Sequence, residues 1–274
     1  MTKRRLIWLA LALLACAQIA NAEASGLKKI KDIVIYQDPI YYSTFPSIVQ
    51  RPDGELICAF RRAPDRGKLW GAPGYTHTDT NSYLVCVRSK DHGETWTKNP
   101  ELIFAHPLGG SQDPCMVQLK DGSIVCTSYG WAQVPETGFE KLKTTGHHGA
   151  YYFLGGYILR SEDGAKTWKG PFIPMTIPGN TAQDALGNPC PAFNRGAMCQ
   201  GRDGKLYWAV AGRDCASGPT QVHLMVSSDG GETWTYSCPI AKDDKITFNE
   251  TSMIETPKGD LVAFIRTADY DDHL

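Results

Sequence analysis

Polar and charged side chains open four apolar segments that are spread along the chain. The pairs are Ser43-Thr44, Gln112-Asp113, Asn194-Arg195 and Asn249-Glu250. If the fold brings these four strand starts together, their side chains form a polar pocket that binds a charged ligand. The alternative is that they cap the strand ends and hold buried water. For Asp113 and Arg195 the sequence does not decide between the two.

Each polar pair begins the same kind of hairpin. An apolar strand leads into an Asp-Gly or Lys-Gly turn and a second apolar strand follows, which is typical of β-hairpins. The turn glycines are Gly54, Gly122, Gly204 and Gly259. We therefore expect the strands of these hairpins to position the polar pairs.

An eight-residue motif, Ser-x-Asp-x-Gly-x-Thr-Trp, follows three of the hairpins. Its copies are Ser89–Trp96, Ser161–Trp168 and Ser227–Trp234, and the second copy has Ala165 at the Gly position. The Asp side chain can accept hydrogen bonds from backbone N–H groups across a tight turn, and the Gly tolerates positive φ. We therefore interpret the motif aspartates as structural, not catalytic.

Hairpin, further strand and motif together make units of about four strands. Such repeats predict an all-β fold, a β-propeller of four-stranded antiparallel blades. The blades run from about Phe45 to Trp96, from Gln112 to Trp168, from Asn194 to Trp234, and from Asn249 onward. Because a propeller needs a closed ring and these repeats make about three and a half blades, we expect part of a longer protein. Residues 33–36 predict a further short strand ahead of the first blade.

The N-terminus has the pattern of a targeting segment. A basic Lys3-Arg4-Arg5, an apolar core and a small-residue Ala20-Asn21-Ala22 predict a signal peptide over 1–22. The mature propeller domain is then 23–274, secreted or periplasmic and without a transmembrane span. An alternative is lipid attachment at Cys16, as in bacterial lipoproteins. The formal net charge of −1 argues against nucleic acid as the main partner.

Cysteine usage indicates core packing more than metal binding. Of the nine cysteines, Cys58, Cys86 and Cys126 lie within apolar strand segments, where Cys acts as a small core residue. One or two disulfides are expected in an exported chain, with no pairing assigned. No spacing of Cys and His is typical of a metal site, and nothing indicates a cofactor.

With these repeats the chain resembles the sialidase (neuraminidase) superfamily, whose members are six-bladed propellers with Asp-box (BNR) repeats of this form. The resemblance extends from Thr44 to Arg266 and suggests a C-terminally truncated member. It is most specific in the fourth blade, where Asn249-Glu250-Thr251 and Phe264-Ile265-Arg266 match a Glu and an Arg of the family. The resemblance implies an exo-α-sialidase-type glycoside hydrolase that removes a terminal, acidic sugar from a glycan or glycoconjugate.

The resemblance also implies roles for individual residues. Glu250 is the base that activates a Tyr nucleophile, which in the family lies beyond the fourth blade. Asp79, in the loop before the third strand of blade one, is the acid/base, and nearby His77 contacts substrate or tunes Asp79. Arg266 binds the substrate carboxylate, and Asp113 is a further substrate-binding candidate.

One position departs from the family pattern. The family has Arg-Ile-Pro at the entry to blade one, whereas this chain has Thr44-Phe45-Pro46. Either Arg61, Arg62 or Arg195 supplies the missing charge, or the substrate differs. Because non-hydrolytic propellers also carry Asp boxes, the alternative function is a non-catalytic propeller that binds glycans or proteins.

Overall fold

A computed structural model describes residues 28–71, 79–133, 138, 147–148, 151–184, 187–213 and 218–267. The chain divides into two compact units, Met1–Val34 and Ile35–Leu274. Of the first unit only 28–34 are described, and they contain no helix or strand. The expected signal peptide over 1–22 and Cys16 lie outside the described residues. None of the helices within the described ranges is long and apolar enough to cross a membrane.

The second unit folds into successive antiparallel sheets that match the predicted blades. Sheet one has the order β1-β2-β3-β4, with a short helix α1 after β2. Its elements are β1 (Tyr41–Gln50), β2 (Leu56–Pro64), α1 (Arg66–Trp70), β3 (Tyr83–Ser89) and β4 (Glu101–Phe104).

In sheet two, β9 lies between β10 and β7, and β7 pairs on its other edge with both β5 and β6. Its strands are β5 (Gly110–Ser111), β6 (Cys115–Gln118), β7 (Ile124–Gln133), β8 (His147–His148), β9 (Tyr151–Ser161) and β10 (Lys169–Phe172). Sheet three repeats the simple order with β11 (Cys199–Gln200), β12 (Leu206–Gly212), β13 (Gln221–Ser227) and β14 (Thr235–Ala241). Sheet four consists of the hairpin β15 (Phe248–Glu255) and β16 (Leu261–Thr267).

The strand predicted over 33–36 is not present, and these residues have no regular secondary structure. The aromatic ring of Tyr36 packs on Phe60 of β2, with 4.9 Å between ring centroids. Tyr36 therefore contributes its ring to packing on sheet one and is not part of a strand.

The eight-residue motifs form tight turns held by their own side chains. In the first copy, the Ser89 hydroxyl donates to Asp91 at 2.8 Å, and the backbone N–H of Thr95 donates to the same carboxylate at 2.9 Å. The indole N–H of Trp96 donates to the carbonyl oxygen of Gly93 at 3.0 Å. The hydrogen bond from the Thr95 hydroxyl is the main cause that lowers the pKa of Asp91 to about 2. The Asp91 carboxylate therefore accepts its hydrogen bonds from within its own turn, as expected for a structural residue.

Apolar side chains fill the space between successive sheets. Residues of sheets one and two share one buried cluster that includes Ile57, Leu84 and Ile124. Residues of sheets two and three share another, which includes Val125 and Trp208, and Met253 of sheet four packs in a third. The sheets therefore pack face to face in chain order, as blades do.

The cysteines behave as core residues. The seven described cysteines are free thiols, and Cys58, Cys86 and Cys126 are buried. Burial raises the pKa of the Cys86 thiol to about 12. The expected disulfides do not occur among these seven, because Cys58, Cys86 and Cys126 lie inside strands and pack within the sheets. Cys215 lies outside the described residues.

Candidate active site

Residues just before β6 of sheet two and β11 of sheet three meet the start of β15 of sheet four in a chain of ionic contacts. Glu250, near the start of β15, accepts a hydrogen bond from Nη1 of Arg195 at 2.7 Å. Nη1 of Arg266, at the end of β16, lies 2.9 Å from the same carboxylate oxygen. On its other side, Nε of Arg195 lies 3.3 Å from Oδ2 of Asp113. Three sheets thus contribute alternating carboxylate and guanidinium groups to one site.

Tyr129 of β7 forms the buried floor beneath this chain. Its hydroxyl donates to Oδ2 of Asp113 at 3.2 Å, and the guanidinium carbon of Arg195 lies 5.4 Å from its ring centroid. Burial, reinforced by the charge of Asp113, raises the pKa of Tyr129 well above its usual value. Tyr129 therefore remains a neutral hydrogen-bond donor to Asp113.

Arg195 lies at the centre of this charge arrangement. Burial alone lowers the pKa of its guanidinium, but the interactions with Tyr129, Asp113 and Glu250 outweigh burial and raise the pKa overall. Arg195 is thus a permanent cation that links two carboxylates from neighbouring sheets.

The segment before β11 and the strand β15 lie side by side next to this cation. The Asn194 side chain donates to the carbonyl oxygen of Thr251 at 2.6 Å and accepts from its N–H at 3.2 Å. Gly196 lies so close that a Cβ there would be 1.8 Å from the same carbonyl oxygen. This close approach holds Arg195 beside Glu250.

Asp79 is almost fully buried and fixed by three donors. Nε of Arg66 donates to its Oδ2, Nη2 of Arg66 donates to Oδ1 at 3.1 Å, and the N–H of Asn81 donates to Oδ1 at 2.8 Å. Arg66 is the first residue of α1, which begins at the N-cap Asp65 and ends at Gly71. Asp79 is therefore held as an acceptor by a guanidinium from the adjacent helix.

The loop that carries Asp79 packs on the first strand of sheet two. The Ser82 hydroxyl donates to the carbonyl oxygen of Ser111 at 2.7 Å. A Cβ on Gly110 would be 2.1 Å from the carbonyl oxygen of Asp79, so only glycine permits this contact. Because Ser111 precedes Asp113 by two residues, the loop brings Asp79 to the start of sheet two.

Arg61 supplies the charge of sheet one. It is fully buried, and it pairs directly across the β1–β2 ladder with Thr44. Burial lowers the pKa of Arg61, and the charges of Asp113 and Asp79 act against that effect. Arg61 is thus within electrostatic range of both carboxylates, on the strand that faces Thr44.

Arg62 does not belong to this site, which corrects the sequence expectation. It donates to Asp38 at 2.5 Å and to the Tyr83 hydroxyl at 2.6 Å, and its guanidinium carbon lies 3.6 Å from the ring centroid of Tyr41. Successive residues of a strand point to opposite faces, so Arg61 and Arg62 diverge. His77 lies outside the described residues.

Comparison with known proteins includes a relative at substantial identity. No family model matches the sequence, and no curated protein matches it. The chain is 52% identical to a protein of unknown function from Dyadobacter fermentans DSM 18053, with a TM-score of 0.85 over 89% of this chain and 67% of that chain. The chain belongs to the family of this Dyadobacter protein.

Solved structures with lower identity to this chain include sialidases and an arabinanase, which are propellers. The Hadza microbial sialidase Hz136 is 18% identical, with a TM-score of 0.54 over 84% of this chain and 44% of that chain. A mutant of NanB sialidase from Streptococcus pneumoniae is 12% identical, with a TM-score of 0.57 over 92% and 52%. An α-L-arabinanase from Penicillium chrysogenum, solved with arabinobiose, is 15% identical, with a TM-score of 0.57 over 88% and 63%. The chain spans about half the length of these sialidases, and the similarity confirms the predicted propeller fold.

Two members of the site were missed in the sequence. Tyr129 lies in the apolar strand β7, where an aromatic residue is expected to be a core residue. No local sequence signal distinguishes it from the core residues beside it. Arg66 lies in a five-residue helix, too short to show a helical period. The Asp65 N-cap ahead of it is the one signal that indicates the helix.

The site can bind anions and transfer protons. Its guanidinium groups come from α1 and from sheets one, three and four, and a guanidinium can bind both oxygens of a carboxylate. Within the parts of the chain that the structure describes, no group of three or more His, Cys, Asp or Glu residues is arranged to hold a metal ion.

Proposed function

We propose that this protein is an exported exo-α-sialidase-type glycoside hydrolase that removes a terminal, acidic sugar from glycoconjugates. The observation that carries the proposal is the contact of Glu250 with both Arg195 and Arg266 at the common end of sheets three and four. The glycosidase-like propeller fold supports the reaction class. The eight-residue motifs are, in this proposal, Asp boxes of the sialidase type.

In this mechanism Glu250 is the base. Retaining sialidases use a tyrosine nucleophile, whose high intrinsic pKa requires a neighbouring base. Glu250 is suited to this role because it accepts hydrogen bonds in the middle of the site and is 29% exposed at its side chain. Asp79, from the loop beside Asp113, is the acid that protonates the leaving oxygen.

Two guanidinium groups are placed to recognise the acidic group of the sugar. The Arg266 side chain is 48% exposed and can turn from Glu250 towards a ligand. Arg61 lies opposite Thr44, the position at which the sialidase pattern has an arginine. A buried cation on the facing strand preserves positive charge in that region, which favours Arg61 over Arg62 as the substitute.

A second candidate is a non-catalytic propeller that binds glycans. It is favoured by the fact that the site carboxylates are all engaged: Asp79 with Arg66, Asp113 with Tyr129 and Arg195, and Glu250 with two arginines. A fully paired network suits rigid recognition as well as catalysis. Only an assay for cleavage separates the two.

The assay uses the full-length protein, because the proposed tyrosine nucleophile lies beyond the fourth blade, and measures release of 4-methylumbelliferone from its α-N-acetylneuraminide. Its α-L-arabinofuranoside is the comparison substrate. We expect cleavage of the acidic substrate alone. Glu250→Gln should lower kcat by about 10²- to 10⁴-fold, as for loss of a general base. Arg266→Ala should raise KM by about tenfold or more, through loss of a charge-assisted hydrogen bond.

The matched control is Lys258→Ala, in the exposed turn of the same hairpin, which should cleave as the wild type does. Binding of the acidic sugar without cleavage would replace the enzyme by the glycan-binding propeller. Cleavage of the arabinofuranoside alone would keep the hydrolase and remove the acidic substrate.

A further inference from the structure

We propose that Arg66 exchanges partners during binding: the acidic group of the sugar displaces Asp79 from Arg66, and the released Asp79 takes up the proton that it later donates. This inference rests on the proposed function and deepens it by naming a residue that selects anionic substrates and couples their binding to the protonation of the acid.

Asp79 is held in the structure as a hydrogen-bond acceptor. Both of its carboxylate oxygens accept hydrogen bonds from Arg66, and Oδ1 also accepts from the N–H of Asn81. A carboxylate that accepts at both oxygens from a guanidinium has no proton to donate. Asp79 can therefore act as a general acid only after Arg66 has left it.

Arg66 is the partner of this pair that can move. The Arg66 side chain is 29% exposed, whereas that of Asp79 is 1% exposed. Asp79 is fixed by the N–H of Asn81, and its carbonyl is packed against Gly110. Arg66 is on the solvent side of the pair, at the beginning of a helix of five residues. Rotation of the Arg66 side chain towards a ligand leaves the Asp79 loop in place.

A carboxylate on the sugar can displace Asp79 from Arg66. A guanidinium binds carboxylates bidentately, so a sugar carboxylate replaces the Asp79 contacts with contacts of the same kind. A neutral sugar offers no such compensation. Once Arg66 has moved, Asp79 is a buried carboxylate that has lost its closest cation, and it takes up a proton from solvent because burial disfavours the charged form.

The proton then has a defined course. It enters from solvent on an oxygen of Asp79 and passes to the glycosidic oxygen when the bond to the leaving group breaks. Arg61 remains a fixed cation in the same region, because it is fully buried, and it does not take part in the exchange. Arg66 thus acts in addition to Arg266 and Arg61, and it links recognition of an anion to release of the acid.

Isothermal titration calorimetry with N-acetylneuraminic acid and with its methyl ester tests the exchange without any need for turnover. Titrations at pH 7 in two buffers of different ionisation enthalpy give the number of protons taken up. We expect about one proton per bound acid in the wild type and none with the ester. Asp79→Asn should abolish the uptake, and Arg66→Gln should weaken binding of the acid by about tenfold or more but not of the ester.

Two further variants serve as a control and as a conservative replacement. Lys68→Gln lies on the same helix, with a side chain 59% exposed, and should behave as the wild type does. Arg66→Lys keeps the charge without the fork and should bind the acid with intermediate affinity. Binding of the acid without proton uptake, equal preference for acid and ester, or no binding of either would overturn the exchange. Proton uptake by a protein that cleaves neither of the two substrates would support the exchange and overturn the proposed hydrolase.

Discussion

Arg88 of sheet one donates to the backbone carbonyl oxygen of Gly164 in the motif turn of sheet two, at 2.8 Å. The same guanidinium donates to the carbonyl oxygen of Ala165 at 3.0 Å and pairs with Glu101 and the buried Glu55. Replacement by alanine removes the donor of these two carbonyl oxygens, whereas Glu55 keeps its ion pair with Arg51 at 2.9 Å. We expect Arg88→Ala to lower the free energy of unfolding by about 1–3 kcal/mol, as measured by urea denaturation.

The control for this prediction is Lys90→Ala, because Lys90 is exposed and two residues away. Equal stability of the two variants would mean that the contact between sheets contributes little. The second motif repeats the arrangement, since Arg160 precedes its Ser and donates to the carbonyl oxygen of Gly230 in sheet three at 2.6 Å. Arg160→Ala should therefore be destabilising in the same direction.

Tyr129→Phe tests the floor of the candidate site. The hydroxyl of Tyr129 is a buried donor to Asp113, and its loss leaves a buried carboxylate oxygen without that donor. We expect a loss of about 1–3 kcal/mol in the free energy of unfolding and a fall of about tenfold in kcat/KM for the acidic substrate. Tyr207→Phe removes a similar hydrogen bond to Asp203, which is exposed, and should have little effect on either quantity. The prediction fails if the two variants are alike.

The blades were predictable because their signals are local. A turn such as Asp53-Gly54, with Gly54 at φ 88°, defines a hairpin within a few residues, and the motif turns close on themselves. The proximity of Glu250 and Arg266 was also within reach, because a single hairpin pairs the start of β15 with the end of β16. These contacts depend on short segments of chain.

The choice between Arg61 and Arg62 was not predictable in the same way. Alternation along β2 indicates that only one of them faces the site, but not which one. The β1–β2 register shifts between Thr44 and Ser47, where Phe45 has a φ of 57°. An irregularity of this kind changes which β1 side chains face each side, and hence which β2 residue lies opposite Thr44. It leaves no clear mark in the sequence.

The motif carboxylates predict a dependence of stability on pH. Hydrogen bonds, first that of the Thr95 hydroxyl, hold the pKa of Asp91 at about 2 in the folded protein, below the value of about 4 expected when unfolded. A lowered folded pKa contributes stability that is present above about pH 4 and is lost as the pH falls towards 2. The pKa of Asp163 is lowered in the same way by Thr167.

We therefore expect the urea midpoint to fall between about pH 4 and pH 2. Asp91→Asn should be less stable than the wild type at pH 6 and should lose less stability on acidification. Asp244→Asn, at an exposed position outside the motifs, is the control and should follow the wild-type profile. A profile for Asp91→Asn that runs parallel to the wild type would show that the turn does not depend on the charge of Asp91.

Gly196→Ala tests whether the close approach of sheets three and four sets the geometry of the site. The added Cβ would lie 1.8 Å from the carbonyl oxygen of Thr251, so β15 must move away and weaken the hydrogen bonds of Asn194. We expect a loss of about 1–3 kcal/mol in the free energy of unfolding. Because Glu250 adjoins Thr251, the same movement should separate it from Arg195 and lower kcat/KM as well.

Gly259→Ala separates strain from displacement. Gly259 has a φ of 93° with no atom within 4 Å of an added Cβ, so alanine there introduces backbone strain of about 1–2 kcal/mol and moves nothing near the site. Both variants should therefore be less stable, but only Gly196→Ala should lose activity beyond what its unfolded fraction explains. If Gly196→Ala retains full activity per folded molecule, the spacing of Arg195 and Glu250 does not depend on this contact, and Asn194 alone must hold the two strands in register.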